Sequence, residues 1–285
     1  MAKNITEWRP RVLRNVNAPT FIIDEVVLDT LRDFCERAKV WTKRLTAIQI
    51  VAYTPSYAIS SASGDIVEID HARIGTWDIK PIAESWLNAN VSDWQNATAS
   101  RPERYLMGYD REIRLVYTPN ESSDVYAAFT DLTFDASENT IESAGGGFTA
   151  AGLTSGQTID ISGTDDNDRE VKATSVTDTV ITVEGGLTDE GTADASATLA
   201  VNGLHVWAVL KPLITATTVE DFLYDDFLED IANGARYRLF EMPGTKWANG
   251  EYAGYYKAKY EQAVNKAANR KLKGLTKANT GGIRG

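Results

Sequence analysis

Two apolar stripes in the C-terminal fifth of the sequence constrain the fold more than any other feature. Leu223, Phe227, Ile231, Ala235 and Leu239 recur every four residues, with Val219 and Phe222 beside them. That spacing draws one apolar stripe along an α-helix. Thr218 is its expected N-cap, with Asp221 three residues on. Asp221, Asp225, Asp226, Glu229 and Asp230 load the first half, and Arg236 and Arg238 the second, as the helix dipole favours. Met242-Pro243-Gly244 stops the helix and Trp247 follows. Asn249 is the expected cap of a second helix, which carries Tyr252, Tyr256, Tyr260, Ala263 and Ala267 along one side and ends near Gly274. Two helices with a short connection pack antiparallel. The alanines allow a partner to come close. Neither helix is stable alone, so other parts of the chain must cover the stripes.

The N-terminal region supplies that cover. Ile5–Val16 reads as a short helix, with Thr6 near its cap and Pro10 close to its start. Ile22–Arg44 reads as a long one, with Val26, Val27, Leu31, Phe34, Cys35, Ala38 and Trp41 at helical spacing. Contact between the distant ends would close a helical bundle. Its expected core is Phe34, Trp41, Phe222, Phe227, Ile231, Trp247 and Tyr256.

From Thr46 the apolar period falls to two, as in strands. Ile48 and Ile50, Tyr57 and Ile59, and Asp65–Ile74 alternate, and Trp77, Ile79 and Ile82 follow the Gly75-Thr76 turn. Pro81 suggests an edge strand. Glu84–Trp94 is a short helical or irregular piece. Glu103–Met107 and Arg111–Tyr117 flank Gly108-Tyr109-Asp110, which reads as a hairpin. Gly203–Leu210 is a further strand.

Between the last two strands the composition changes. Val125–Val201 holds 14 acidic and 2 basic residues, against 26 and 27 in the rest of the 285-residue chain. The formal net charge of -11 therefore resides in this segment. Its strands read as Asp131–Phe134, Gln157–Ser162, Glu170–Val176, Thr179–Val183 and Ala197–Val201, punctuated by glycines. Without it, Asn120–Ser123 could link tightly to Gly203, so it reads as an insertion at a hairpin tip. The expected class is α+β: a helical bundle from the N- and C-terminal helices with a small antiparallel β wing, and an inserted all-β domain of barrel or sandwich type. The expected boundaries are 1–124 with 202–274 for the core, 125–201 for the insert and 275–285 for a flexible basic arm.

That arm belongs to a second charge asymmetry. Lys257–Gly285 holds eight Lys/Arg and one Glu. The end of the chain has too little apolar surface to fold alone. Docking onto a partner would use Leu275 and Ile283 as apolar anchors and Lys271, Lys273, Lys277 and Arg284 as steering cations.

Sites for chemistry are sparse. His71 and His205 lie in strand patterns with no Cys/His neighbour at ligand spacing, so both are expected to be structural and no metal is expected. Asp165-Asp166-Asn167-Asp168 lacks the Gly and Glu of a calcium loop and reads as a solvated turn. Gly145-Gly146-Gly147 is not followed by Lys-Ser/Thr, so it is not a phosphate loop. There is no nucleophile elbow. Neither a catalytic residue nor a cofactor is expected. One cysteine, Cys35, precludes an internal disulfide and fits a reducing compartment. The first 20 residues are charged and broken by Pro10 and Pro19, unlike a signal peptide, and no run approaches the roughly 20 apolar residues of a membrane span.

Four stretches carry a family resemblance: Ile5-Thr6-Glu7-Trp8 with Asp33-Phe34-Cys35; Arg101-Pro102-Glu103-Arg104-Tyr105 with Ile113-Arg114-Leu115; Leu210-Lys211-Pro212 with Thr215–Thr218 and Phe222–Asp226; and Met242–Trp247 with Tyr255-Tyr256. In this order the chain resembles the head-to-tail adaptor, or head completion, proteins of tailed bacteriophages. The resemblance implies a structural virion protein at the portal vertex, assembled in the host cytoplasm. Its partners would be the portal protein, other copies of itself in a ring of usually twelve, and a downstream neck or tail protein. Genome DNA would pass through without specific binding, and no membrane would be involved. Leu275–Gly285 would correspond to an arm reaching into the portal. Two other readings compete. A cell-wall hydrolase with a β binding module would need two carboxylates in a cleft, one with a raised pKa. A host-surface or carbohydrate-binding protein would need exposed aromatics within 125–201.

Overall fold

The computed structural model describes residues 2–108, 111–164, 166–191 and 197–272. The protein is mixed α+β. Five α-helices are described: α1 (Arg9–Val12), α2 (Thr20–Ala38), α3 (Glu84–Asn90), α4 (Asp221–Glu241) and α5 (Gly250–Leu272). The chain divides into two compact units. The first comprises Met1–Lys43, Ser61–Glu68 and Val209–Gly285; the second comprises Arg44–Ser60 and Ile69–Ala208. Residues 69–124, grouped with the helices on sequence grounds, thus fall in the second unit with residues 125–201.

In the first unit the chain starts as a strand, Ala2–Asn4, antiparallel to Thr218–Glu220. This pairing corrects the expectation that Thr218 caps α4. The backbone of Thr218 and Val219, both β-branched, is committed to a ladder, and α4 starts at Asp221 without a side-chain cap. The N-terminal turn is capped by Asn4 rather than Thr6. Asn4 Oδ1 accepts from the Thr6 N–H at 2.9 Å, and Glu7 Oε1 accepts from the Asn4 N–H at 3.0 Å, a reciprocal capping box. The turn is 3-10 over Ile5–Trp8 and only then α-helical, stopping at Val12 rather than Val16. α2 also ends earlier than its periodicity suggests. Lys39 adopts a left-handed conformation, φ 54°, and its N–H donates to the Cys35 carbonyl at 2.9 Å. The chain then turns into a strand at Thr42–Arg44, where a longer helix was expected. At α5 the cap is as read: Asn249 Oδ1 accepts from the Glu251 and Tyr252 N–H groups, each at 3.1 Å.

α2, α4 and α5 meet around Tyr260, which is fully buried. The Phe34 ring lies 4.9 Å from Phe227 and 6.2 Å from Tyr260. Tyr237 stacks obliquely on Tyr260 at 5.6 Å. The Tyr260 hydroxyl donates to Asp33 Oδ2 at 2.7 Å and lies 3.3 Å from the Thr30 carbonyl. Burial, followed by the Asp33 charge and hydrogen bond, raises its pKa and keeps it a neutral donor. Asp33 is in turn paired with Arg37 at 3.5 Å and Arg238 at 3.3 Å. Gly234 of α4 sits at this crossing.

The second unit contains two larger sheets and a two-stranded one, in which Thr98–Ala99 pairs parallel with Thr118–Pro119. In one of the larger sheets, seven strands run in the order Val125–Phe129, Ala197–Val201, Thr158–Ser162, Glu170–Val176, Val180–Val183, Thr140–Ser143 and Leu132–Asp135, all antiparallel. Val125 pairs directly with Val201, so the chain enters and leaves this sheet at one place. Leu132, Ile141, Phe148, Ile159, Ile181 and Leu199 are buried in its core. Two of the strands, Val125–Phe129 and Thr140–Ser143, were not foreseen. Asn167, expected in a solvated turn, is fully buried and donates to the Thr188 carbonyl at 3.0 Å and to Glu190 at 2.8 Å.

In the other sheet, Arg104–Met107 and Glu112–Val116 form the expected hairpin, and Ser56–Ala58 pairs along its outer side. Residues 109 and 110 of its turn lie outside the described residues. Trp77–Pro81 pairs antiparallel with Ala72–Ile74 and parallel with Arg104–Tyr105. Pro81 therefore does not mark an edge. It ends the strand, beyond the Ile79–Ala72 pair, where no ladder needs its missing N–H. Ile48 and Ile50 do not form the expected strand. Ile48 makes one bridge to Leu204, and the Ile50 N–H is taken by Ser123 Oγ at 2.9 Å.

A Cβ on Gly234 would lie 2.4 Å from Thr30 Cγ2 and 2.6 Å from Tyr260 Cδ2. Gly234→Ala should therefore destabilise the protein by about 1–3 kcal/mol through overpacking, despite alanine's better helix propensity. Urea unfolding followed by the α-helical circular dichroism signal checks this, and an unchanged or higher midpoint would contradict the crossing.

Candidate functional site

The densest group of chemically able side chains lies in the second unit. Register forces its central problem. Asp160 and Glu170 face each other across paired strands, and like charges in that position repel. Arg44 pairs with Asp160 and Arg73 with Glu170. His205 Nδ1 lies 3.1 Å from Asp160 Oδ2 and 3.3 Å from the Arg44 guanidinium. The His205 and Asp160 side chains are 1% and 3% exposed. The Trp207 ring lies 5.5 Å from the Arg44 guanidinium, 5.0 Å from that of Arg73 and 5.1 Å from the His71 ring. A cavity of about 270 Å³ adjoins the group, lined in part by Asp124, Gln157, Asp160, Glu170, Asn202 and His205.

The electrostatics favour a neutral imidazole. Burial, then the charges of Arg44 and Arg73, lower the His205 pKa to about 3, with Glu170 opposing. Burial also lowers the pKa of Arg44. Ligand atoms of Asp160, Glu170 and His205 lie within 4.8 Å of one another, a spacing that a divalent cation could bridge. However, both carboxylates already have guanidinium partners, and a cation would have to expel them. Two acids neutralised by two arginines fit an ion-paired framework better than a metal centre. His205 thus has polar partners inside a sheet, and His71 Nε2 lies 3.2 Å from Asp78 Oδ1 at a more exposed position.

The acidic face of α4 carries Asp225, Asp226, Glu229 and Asp230. Burial first, and Glu229 after it, raise the Asp230 pKa, while Lys266 opposes. Glu229 lies 3.4 Å from both Arg11 and Arg236.

The proposed docking residues are placed only in part. Lys271 is on the last turn of α5, and its Nζ donates to Thr42 Oγ1 at 3.0 Å. Lys273, Leu275, Lys277, Ile283 and Arg284 lie outside the described residues. Of the expected core, Phe34, Trp41, Phe227, Ile231 and Tyr256 are buried, whereas Phe222 and Trp247 are only partly so. Phe222 opens onto a groove of about 340 Å³, lined also by Val40, Thr42, Asp226, Phe227, Ala267, Arg270 and Lys271. Sequence reasoning missed this groove and the Arg44–Asp160–His205 cluster. The facing pair Asp160 and Glu170 was legible only with strand register in hand.

Set against models of protein families and against curated proteins, the chain matches none.

The lowered His205 pKa has a definite sign. Between about 3 and the ordinary 6.5, the unfolded chain binds a proton that the folded chain refuses. Stability should thus be unaffected above pH 6.5 and fall as pH drops below it, with a slope of up to about 1.4 kcal/mol per pH unit from this residue. Unfolding free energies at pH 6.5 and 5, where most carboxylates stay ionised, should fall less steeply in His205→Gln than in the parent. Equal slopes would show that His205 titrates normally.

Proposed function

We propose that this chain is a structural subunit of a tailed-bacteriophage neck: a head-to-tail adaptor that forms a ring beneath the portal, extends the DNA channel and offers a platform to the next neck or tail protein. In this reading the helices of the first unit form the bundle, residues 69–124 a β wing, and residues 125–201 an inserted β domain. The order of the four resembling stretches suggests the assignment. The observation that carries it is the end of α5. A long helix anchored by Tyr256 and Tyr260 ends at Leu272 with Arg270 and Lys271 in its last turn, and Lys273, Lys277 and Arg284 follow in the sequence. Such a unit suits a subunit whose cationic terminus clasps a neighbour. Phe21, Ile214, Tyr252 and Tyr255 of the same unit are more than half exposed, as surface reserved for partners would be.

Charge is compatible with a DNA conduit. The chain is acidic overall, and a wall that does not grip phosphates lets nucleic acid pass. The carbohydrate-binding alternative finds little support. The aromatics of 125–201 are Tyr126, Phe129, Phe134 and Phe148, all buried or partly buried. The Tyr126 hydroxyl is used by the Ala47 carbonyl at 3.0 Å.

Mixed with the portal protein of the same particle, the full chain should form rings visible by negative-stain microscopy. A chain ending at Gly274 should keep its helical content and melting temperature but bind portal at least about tenfold more weakly. Unchanged binding by the shortened chain would remove the arm from the proposal. Failure of the full chain to bind portal at all would remove the adaptor reading.

A further inference from the structure

The helical unit presents apolar surface at two places, and they lie at opposite ends of it. α2 and α5 run in the same direction: Tyr260 meets Thr30 and Asp33, and further along Lys271 meets Thr42. α4 runs against them. Phe240 lies 5.5 Å from Tyr252 at one end, while Phe222 shares a groove with Ala267 at the other. Phe21, Tyr252 and Tyr255, at the starts of α2 and α5, stand at the first end and are 70%, 53% and 54% exposed. The groove, about 340 Å³, opens at the second end between Val40, Phe222, Phe227 and Ala267. Along α2, Phe21 is about 26 Å from Ala38, and along α5, Tyr252 is about 27 Å from Arg270. A chain therefore cannot fill its own groove with its own aromatic end.

The two ends are also complementary in charge. Glu25 stands one turn beyond Phe21 on the same face of α2, and Glu251 one turn before Tyr255 on α5. Both are exposed, with no ion pair among the described residues. Lys259, one turn beyond Tyr255, lies 4.5 Å from its ring and has no carboxylate partner among the described residues. The groove carries the opposite set. Arg270 on its α5 rim and Asp226 on its α4 rim are exposed and have no ion pair among the described residues. Two aromatic ends offer each other no cavity, and two grooves offer each other nothing to fill them. An aromatic end set into a groove satisfies both.

We propose that copies of this chain associate end to end in one direction: Phe21 of one subunit seats in the groove of the next, Glu25 meets Arg270 and Lys259 meets Asp226. Such a contact is heterologous. It repeats from copy to copy, closing into a ring or running on as a filament according to the rotation between neighbours. The contact stands on the two ends alone; that the repeat closes as a ring rests on the adaptor reading.

Sedimentation velocity on the full chain at low salt tests the contact. Between about 5 and 200 μM, a span that reports a Kd near about 50 μM, the average mass should rise with concentration and pass that of a dimer. Phe21→Asp should weaken association at least about thirtyfold, as loss of a central anchor does. Glu25→Lys and Arg270→Glu should each weaken it about tenfold, as reversal of a rim charge does. All three positions are exposed, so the parent melting temperature should be kept. The double variant Glu25→Lys with Arg270→Glu should recover association. The two residues are too far apart to pair within one chain, so recovery reports a contact between copies. Phe21→Asp mixed with Arg270→Glu should give dimers and nothing longer, because one intact end and one intact groove remain. A parent chain that stays monomeric, or stops at a dimer, would overturn the proposal. So would single variants that associate like the parent. A double variant no better than the singles would overturn the Glu25–Arg270 pairing. None of these measurements involves portal. A chain that binds portal but stays monomeric keeps the adaptor reading and loses this contact, and one that associates but ignores portal does the reverse.

Discussion

The helical unit depends on one buried hydrogen bond at a crossing that only glycine permits. Tyr260 of α5 reaches across to Asp33 and the Thr30 carbonyl of α2, while Gly234 of α4 lets the Tyr260 ring and Thr30 approach its backbone. A buried phenol without a partner would cost about 1–3 kcal/mol. With Asp33 as acceptor, the bond instead fixes which turns of α2 and α5 face each other. Apolar stripes alone leave that register free to slide by a turn, since leucine or alanine is much the same one turn on. The Asp33 carboxylate, shared with Arg37 and Arg238, makes sliding expensive. Here a polar contact sets the alignment and apolar burial provides the bulk of the stability.

The second unit meets a comparable problem with charge. An acidic all-β segment places carboxylates on neighbouring strands, and Asp160 is buried where its charge cannot be left unpaired. Arg44 and Arg73 both lie outside the acidic segment and supply the countercharge. The Trp207 face lies beside both guanidiniums, so their desolvation is partly offset by cation–π attraction. Such a network is weak evidence for net stability, because its desolvation cost is large. Its stronger effect is directional: removing Arg44 leaves the Asp160 charge buried without its partner.

Much of this architecture was legible in the sequence, and the failures share a cause. Asp65–Ile74, Glu170–Val176 and Ala197–Val201 have the boundaries read from alternation and turn residues, and Asn249 caps α5 as its position suggests. Local signals sufficed there because the tertiary structure asks for nothing different. α2 was read too long because Trp41 continues its period, yet a left-handed Lys39 ends the helix and Trp41 is buried anyway. Thr218 looks like a cap until the pairing with Ala2–Asn4, over two hundred residues away, claims its backbone. Thr140–Ser143 has a single strong apolar residue, and Val125–Phe129 does not alternate. Both are strands because of their neighbours. The Asp160 and Arg44 pairing and the α4–α5 groove are properties of register and of absent bulk, which no local window contains.

The groove also explains why Phe222 departs from its expected burial. Its place in the stripe is correct, and Phe227 and Ile231 on the same stripe are covered. At the level of Phe222, however, the partner helix offers Ala267 rather than a large side chain, and α4 has lost its regular geometry at Phe227. An exposed aromatic face next to a rim carboxylate is costly to leave in water. The same alanines that let α5 pack closely along most of its length thus leave, near its end, an open groove beside Phe222.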